Sequence, residues 1–184
     1  CTGSLIAPNL VLTAQHCIAP TPANGILCGS SRFGDTYNPS DVYVTTQTEL
    51  PNFGYYGVRE VWVPEENADV CGNDVALLIL AQNIPAREAS ILTPRLDEPV
   101  EVGELFTAAG YGHTGNGNGA GVRRSIQDRY VICSGYRNGC QDGNQSIYEN
   151  EWLGNNGTCQ GDSGGPALDD LEQPINSKGD LPGQ

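Results

Sequence analysis

Apolar residues in this chain come in short bursts separated by turn formers, and nowhere do they recur at the 3.6-residue period of a long amphipathic helix. Ser4-Leu5-Ile6 and Leu10-Val11-Leu12-Thr13 flank Ala7-Pro8-Asn9, the pattern of a hairpin. Further strands are predicted over residues 42–45, 58–63, 74–80, 105–109 and 126–132. In the last of these, Ile126, Asp128, Tyr130 and Ile132 share one face, an alternation with a single polar exception. The 24 glycines and 12 prolines are spread along the chain rather than massed, which marks frequent turns. Many short strands closed by frequent turns point to an all-β chain built as barrels or a sandwich.

A shift in composition over residues 81–101, with Pro85, Pro94 and Pro99, predicts a connector between two halves, about 1–80 and about 102–168. Residues 110–121 (GYGHTGNGNGAG) read as an exposed, mobile Gly/Asn-rich loop. Residues 169–184 are polar, broken by proline and glycine, and read as an irregular tail. No internal repeat is visible.

Nine basic residues against 22 acidic give a net charge of −13, which reads first as a solvated acidic surface. Such a balance argues against nucleic acid and anionic membranes as partners. The longest apolar run, residues 75–81, falls far short of the ~20 residues that span a bilayer. Seven cysteines point to an oxidising compartment, secreted, extracellular or periplasmic, and an odd number leaves one without a partner in the chain. Spacing alone does not settle their pairing. No C-x-x-C pair occurs and the two histidines lie far apart, so no metal site is expected. There is no methionine and no leader segment, so the chain is expected to be processed or partial.

Three segments carry chemistry. Gly161-Asp162-Ser163-Gly164-Gly165-Pro166 presents a serine between glycines that leave its backbone uncrowded. A serine hydroxyl is barely ionised at neutral pH and needs a base within hydrogen-bond reach, itself held in one tautomer. Thr13-Ala14-Gln15-His16-Cys17 offers His16 as that base, and Asn73-Asp74-Val75-Ala76-Leu77-Leu78 offers Asp74 to orient it. The N–H groups of Gly161 and Ser163 can converge as an oxyanion hole. Asp162 places a charge in a partly buried segment and needs a partner. His113, in the Gly/Asn loop, reads as a solvated turn residue.

These segments, in the order His, Asp, Ser, resemble the chymotrypsin/trypsin-like serine protease superfamily. Cys1-Thr2-Gly3-Ser4-Leu5-Ile6-Ala7-Pro8 with Val11 to Cys17 is similar to its histidine region. Gly72 to Leu78 is similar to its aspartate segment, Gly110-Tyr111-Gly112 to the turn opening its second barrel, and Cys159 to Pro166 to its serine segment. The likeness runs from Cys1 to about Leu168. It implies two antiparallel six-stranded β-barrels, incomplete here at both termini, with the site in the cleft between them. It also implies a cofactor-free serine endopeptidase acting through His16, Asp74 and Ser163, with a protein or peptide substrate, an activating protease and protein inhibitors as partners, and a monomeric state. Cys1–Cys17, Cys28–Cys71 and Cys133–Cys140 become the implied disulfides, with Cys159 left over.

The same resemblance places Gly157, Thr158 and Gln160 at the substrate pocket. Gly157 stands where trypsin-like enzymes carry the acid that selects arginine and lysine, so the pocket leans to an uncharged residue. The family's activation pairs a freed N-terminal amine with the aspartate at Asp162. With no such segment in this chain, Asp162 is expected to lack a partner and the site to be zymogen-like and poorly active. The rival reading is a catalytically silent, protease-like binding or regulatory module.

Overall fold

A computed structural model describes residues 1–64, 68–135, 140–143 and 145–169. The first half contributes β1 (Ser4–Ala7), β2 (Leu10–Thr13), β3 (Tyr43–Val44), β4 (Tyr56–Trp62) and β5 (Ala76–Leu80). They form one antiparallel sheet in the order β1-β2-β5-β4-β3. β5 shows why alternation fixes this sheet: Ala76, Leu78 and Leu80 are buried, while Leu77 and Ile79 between them are only partly so. Leu5, Val11, Phe33, Val58 and Val70 close the same core.

The second half contributes β6 (Leu105–Gly110), β7 (Arg124–Ser134), the short β8 (Gln141–Asp142) and β9 (Gln145–Ser146), β10 (Trp152–Gly154) and β11 (Ala167–Asp169). β8 and β9 pair only with each other, and the rest make an antiparallel sheet in the order β10-β7-β6-β11. Its core is separate and smaller: Phe106, Ala108 and Val131, with Trp152 packed edge-on to Phe106 at a ring separation of 5.0 Å. The chain is therefore all-β in its described residues apart from two 3₁₀ turns, Gln15–Cys17 and Pro39–Asp41. Among the described residues, two curled half-barrels of five and four strands match the incomplete two-barrel architecture expected. No strand occurs between Leu80 and Leu105.

Two expectations need correction. Ile126, Tyr130 and Ile132 do not share a buried face: all three are exposed, and the inward residue of β7 is Val131. The β6–β7 register shifts between Phe106 and Ala108, with Asp128 at φ 56°. That bulge inserts a residue and exchanges the faces, so Ile126 lies opposite Ala108 while Tyr130 lies opposite Leu105. Asp169, expected as the first residue of an irregular tail, instead pairs with Phe106 in β11. The remainder of that tail lies outside the described residues.

Candidate active site

β2 and β5 run antiparallel with Thr13 opposite Ala76, so the residues just after β2 and just before β5 emerge at the same end of the sheet. His16 follows Thr13 by three residues, in the 3₁₀ turn anchored by buried Gln15, Ile18 and Ala19. Asp74 precedes Ala76 by two. Two motifs 58 residues apart are thus brought into contact by one strand pairing. Asp74 accepts twice from His16: the backbone N–H donates to Oδ1 at 2.8 Å and the ring Nδ1 lies 2.6 Å from Oδ2. A carboxylate can only accept, so the ring proton sits on Nδ1 and the Nε2 lone pair is left available. The Asp74 hydrogen bond raises the His16 pKa above the ordinary 6.5, against the opposing effect of burial, and the negative charge of Asp74 adds to the rise.

The serine segment docks on the same end. Thr2 N–H donates to the Ser163 carbonyl at 2.8 Å, and the Cys17 sulfur, bonded to Cys1, lies 3.6 Å from that oxygen. Within the segment, Asp162 N–H donates to Cys159 O and Gly165 N–H to Asp162 O, at 3.0 and 2.8 Å. Gly161 holds φ +101°, a conformation an L side chain rarely adopts. The N–H groups of Gly161 and Ser163 and the Ser163 hydroxyl have no hydrogen-bond partner among the described residues. His16 and Asp74 are therefore joined, whereas the hydrogen bond from Ser163 Oγ to His16 is open. Catalytic hydrogen bonds of this kind often close only with substrate bound.

Asp162 is not without a partner, contrary to expectation. Gly112 N–H donates to its Oδ1 at 2.8 Å and Cys159 N–H to its Oδ2 at 2.9 Å. The carboxylate fits because Gly110 and Gly112 have no side chain: a Cβ on Gly112 would stand 2.6 Å from the Asp162 Cγ. The first residues of the Gly/Asn loop are accordingly buried against the serine segment, while residues 115–120 are exposed as anticipated. His113 is half-buried and its Nδ1 is enclosed without a hydrogen bond, so it is not a solvated turn residue.

Gly157, Thr158 and Gln160 are all exposed beside this segment. The Gln160 carbonyl accepts from His113 N–H at 2.9 Å. A Cβ at Gly157 would meet Arg129 Cδ at 3.0 Å and Ile126 Cδ1 at 3.2 Å, and Arg129 Nη1 donates to the Asn156 carbonyl at 3.1 Å. Arg129 escaped notice because it sits in no catalytic motif, and Thr2 because, within the histidine-region segment, nothing in the sequence shows which backbone groups its hydroxyl meets. The position of Thr2 between Cys1 and the hairpin was its only signal. The disulfides Cys1–Cys17, Cys28–Cys71 and Cys133–Cys140 are formed, and Cys159 is free and exposed. Cys1, His16 and Cys17 cluster, but both sulfurs are consumed in a disulfide and offer no thiolate to a metal.

The family profile described as Trypsin matches residues 1–182. A tryptase of Mus musculus is 29% identical over 94% of this chain and 64% of its own length. A trypsin of Saccharopolyspora erythraea is 29% identical over 91% and 70%. A vitellin-degrading protease of Bombyx mori is 26% identical over 91% and 61%, so the chain spans less than two thirds of several relatives. A mutant of human heparin binding protein superposes with a TM-score of 0.60 at 19% identity, covering 91% of this chain and 68% of that one, a likeness of fold. A profile match across nearly the whole sequence, on the two-sheet fold just described, places the chain in the trypsin family.

Proposed function

We propose that this chain carries the catalytic machinery of a secreted serine endopeptidase, and the observation that carries the reading is the two-point grip of Asp74 on His16. His16 Nε2 takes the Ser163 proton as Oγ attacks the substrate carbonyl carbon, and the imidazolium so formed is stabilised by Asp74. The oxygen that becomes negative receives the N–H groups of Gly161 and Ser163. Collapse of the tetrahedral intermediate expels the amine, which leaves with the proton from His16, and water repeats the sequence on the acyl-enzyme. These roles follow the triad template of the family. Two N–H donors to Asp162 support a formed rather than collapsed serine segment.

The substrate is a protein or peptide. Gly157 supplies no charge to the pocket, and Arg129 is engaged with Asn156, which supports an uncharged side chain there. Three disulfides fit an oxidising, extracellular setting. Residues 1–80 and 102–168 form the two halves of one peptidase unit. The test is intact-mass analysis after exposure to a fluorophosphonate. One adduct that vanishes in Ser163→Ala supports the reading. A folded chain that takes no adduct overturns it in favour of a binding module.

A further inference from the structure

Thr2 holds two carbonyls of the serine segment and one N–H of the neighbouring Gly/Asn loop. Its N–H donates to Ser163 O at 2.8 Å, its hydroxyl donates to Gly161 O at 2.9 Å, and the same hydroxyl accepts from Tyr111 N–H at 3.0 Å. Its own carbonyl accepts from buried Thr13 Oγ1 at 2.7 Å, and its neighbour Cys1 is tied to Cys17. The residue is 8% exposed. A threonine hydroxyl has one proton and spare lone pairs, and here both capacities are used.

The two carbonyls that Thr2 holds belong to Gly161 and Ser163, whose own N–H groups have no partner among the described residues. A carbonyl shares its rigid peptide unit with the N–H of the next residue, so Thr2 anchors the units 161–162 and 163–164, which flank the unit carrying the Ser163 N–H, and the first of them directly follows the Gly161 donor. At Gly161 the restraint matters most, because glycine at φ +101° has no side chain to limit its excursions. We propose that Thr2 is a positioning residue, whose hydroxyl bridges the Gly161 carbonyl and the Tyr111 N–H and thereby preorganises the Gly161 and Ser163 donors for the oxyanion. Preorganised donors cost no reorganisation at the moment of reaction, which is where their catalytic value lies. The inference rests on the serine-hydrolase reading for its consequence but not for its geometry.

Thr2→Val keeps the shape and removes the hydroxyl, and Thr2→Ser restores it. The Val variant is expected to be labelled by fluorophosphonate roughly tenfold or more slowly, part of the ~10²–10³ that outright loss of one oxyanion donor costs. On a peptide substrate kcat falls while KM is little changed, and Thr2→Ser recovers most of both rates. Amide hydrogen exchange of peptides spanning 110–113 and 159–165 speeds up in Thr2→Val and not in Thr2→Ser. Wild-type labelling and exchange rates in Thr2→Val, or equal losses in both variants, overturn the proposal. If Thr2→Val does not fold, the wild-type Tyr111 amide decides, because its only acceptor among the described residues is Thr2 Oγ1 and fast exchange there removes the clamp. A wild-type chain that is never labelled sinks the hydrolase reading, and exchange alone then judges the clamp.

Discussion

Gly164 and Gly29 form a matched pair for measuring how tightly the serine segment is docked. Both occupy the left-handed region, at φ +80° and +82°. Alanine at either position carries the backbone cost of that region, about 1–2 kcal/mol, partly offset by about 0.4–1 kcal/mol from a stiffer unfolded chain. At Gly29 nothing lies within 4 Å of the added Cβ, so Gly29→Ala should cost on the order of 1 kcal/mol. At Gly164 the Cβ would stand 2.5 Å from Thr2 O and 2.6 Å from Ala14 N, and would press on Thr13 Oγ1. Two of these atoms are backbone and cannot swing aside. The methyl would also wedge apart the bond from Thr13 Oγ1 to Thr2 O. Overpacking of this kind adds about 1–3 kcal/mol, so Gly164→Ala should lose roughly 2–4 kcal/mol, a large share of a typical domain's stability of about 5–15 kcal/mol. Urea unfolding with disulfides intact reads the difference as a shift of midpoint at unchanged slope. Equal losses for the two variants would mean that the serine segment does not rest on the histidine hairpin, and would refute the reasoning.

Two further outcomes follow from the first half. Asp74→Asn should bring the His16 titration, followed by NMR of its ring protons, back down toward 6.5, because the bond that raises it is weakened. The sign for stability follows from a folded pKa above the unfolded one. The wild-type advantage over Asp74→Asn is fully present below pH 6.5 and shrinks as pH rises through the folded His16 pKa, and it stays modest because the two side chains are 34% and 32% exposed. An advantage that grows with pH in urea melts would contradict this. Gln15→Met should stabilise the fold by about 1 kcal/mol, since the Gln15 Oε1 is enclosed without a partner at 1% residue exposure and Met fills the same volume. A loss of stability in thermal melts would show that the amide is satisfied.

Much of the site was legible because its chemistry is local. A serine between glycines, and a histidine and an aspartate flanking two apolar runs, are each visible in six residues, whereas the β2–β5 pairing that joins them is set by the fold, since Leu10–Thr13 and Ala76–Leu80 hold continuous apolar runs that carry no pairing signal. What depends on register was not legible. The Asp128 bulge turns β7 over partway along its length, which no count of alternating residues reveals. β10 was missed because three residues carry no period, and β11 because its apolar content is only Ala167 and Leu168. The partners of Asp162 were missed for a different reason. They are backbone N–H groups, which every residue possesses, and only the absence of Cβ atoms at Gly110 and Gly112 selects them.

The two halves have separate cores, and no residue belongs to both. What joins them near the site is polar: Thr2 to Gly161, Ser163 and Tyr111, Gly72 to Asn150 and Glu151, and Arg123 N–H to the Thr48 carbonyl. Such bonds contribute only about 0.5–1.5 kcal/mol each, far less than burial of either core, so the seam is where local opening is cheapest. His16 and Asp74 lie on one side of it and Ser163 on the other. Opening the seam would therefore separate His16 from Ser163, the base and nucleophile we propose, while both sheets stay folded. In the proposed reaction, attack by Ser163 depends on the weakest part of the molecule rather than the strongest, which is the physical reason a buried threonine hydroxyl at that seam can matter more to function than to stability.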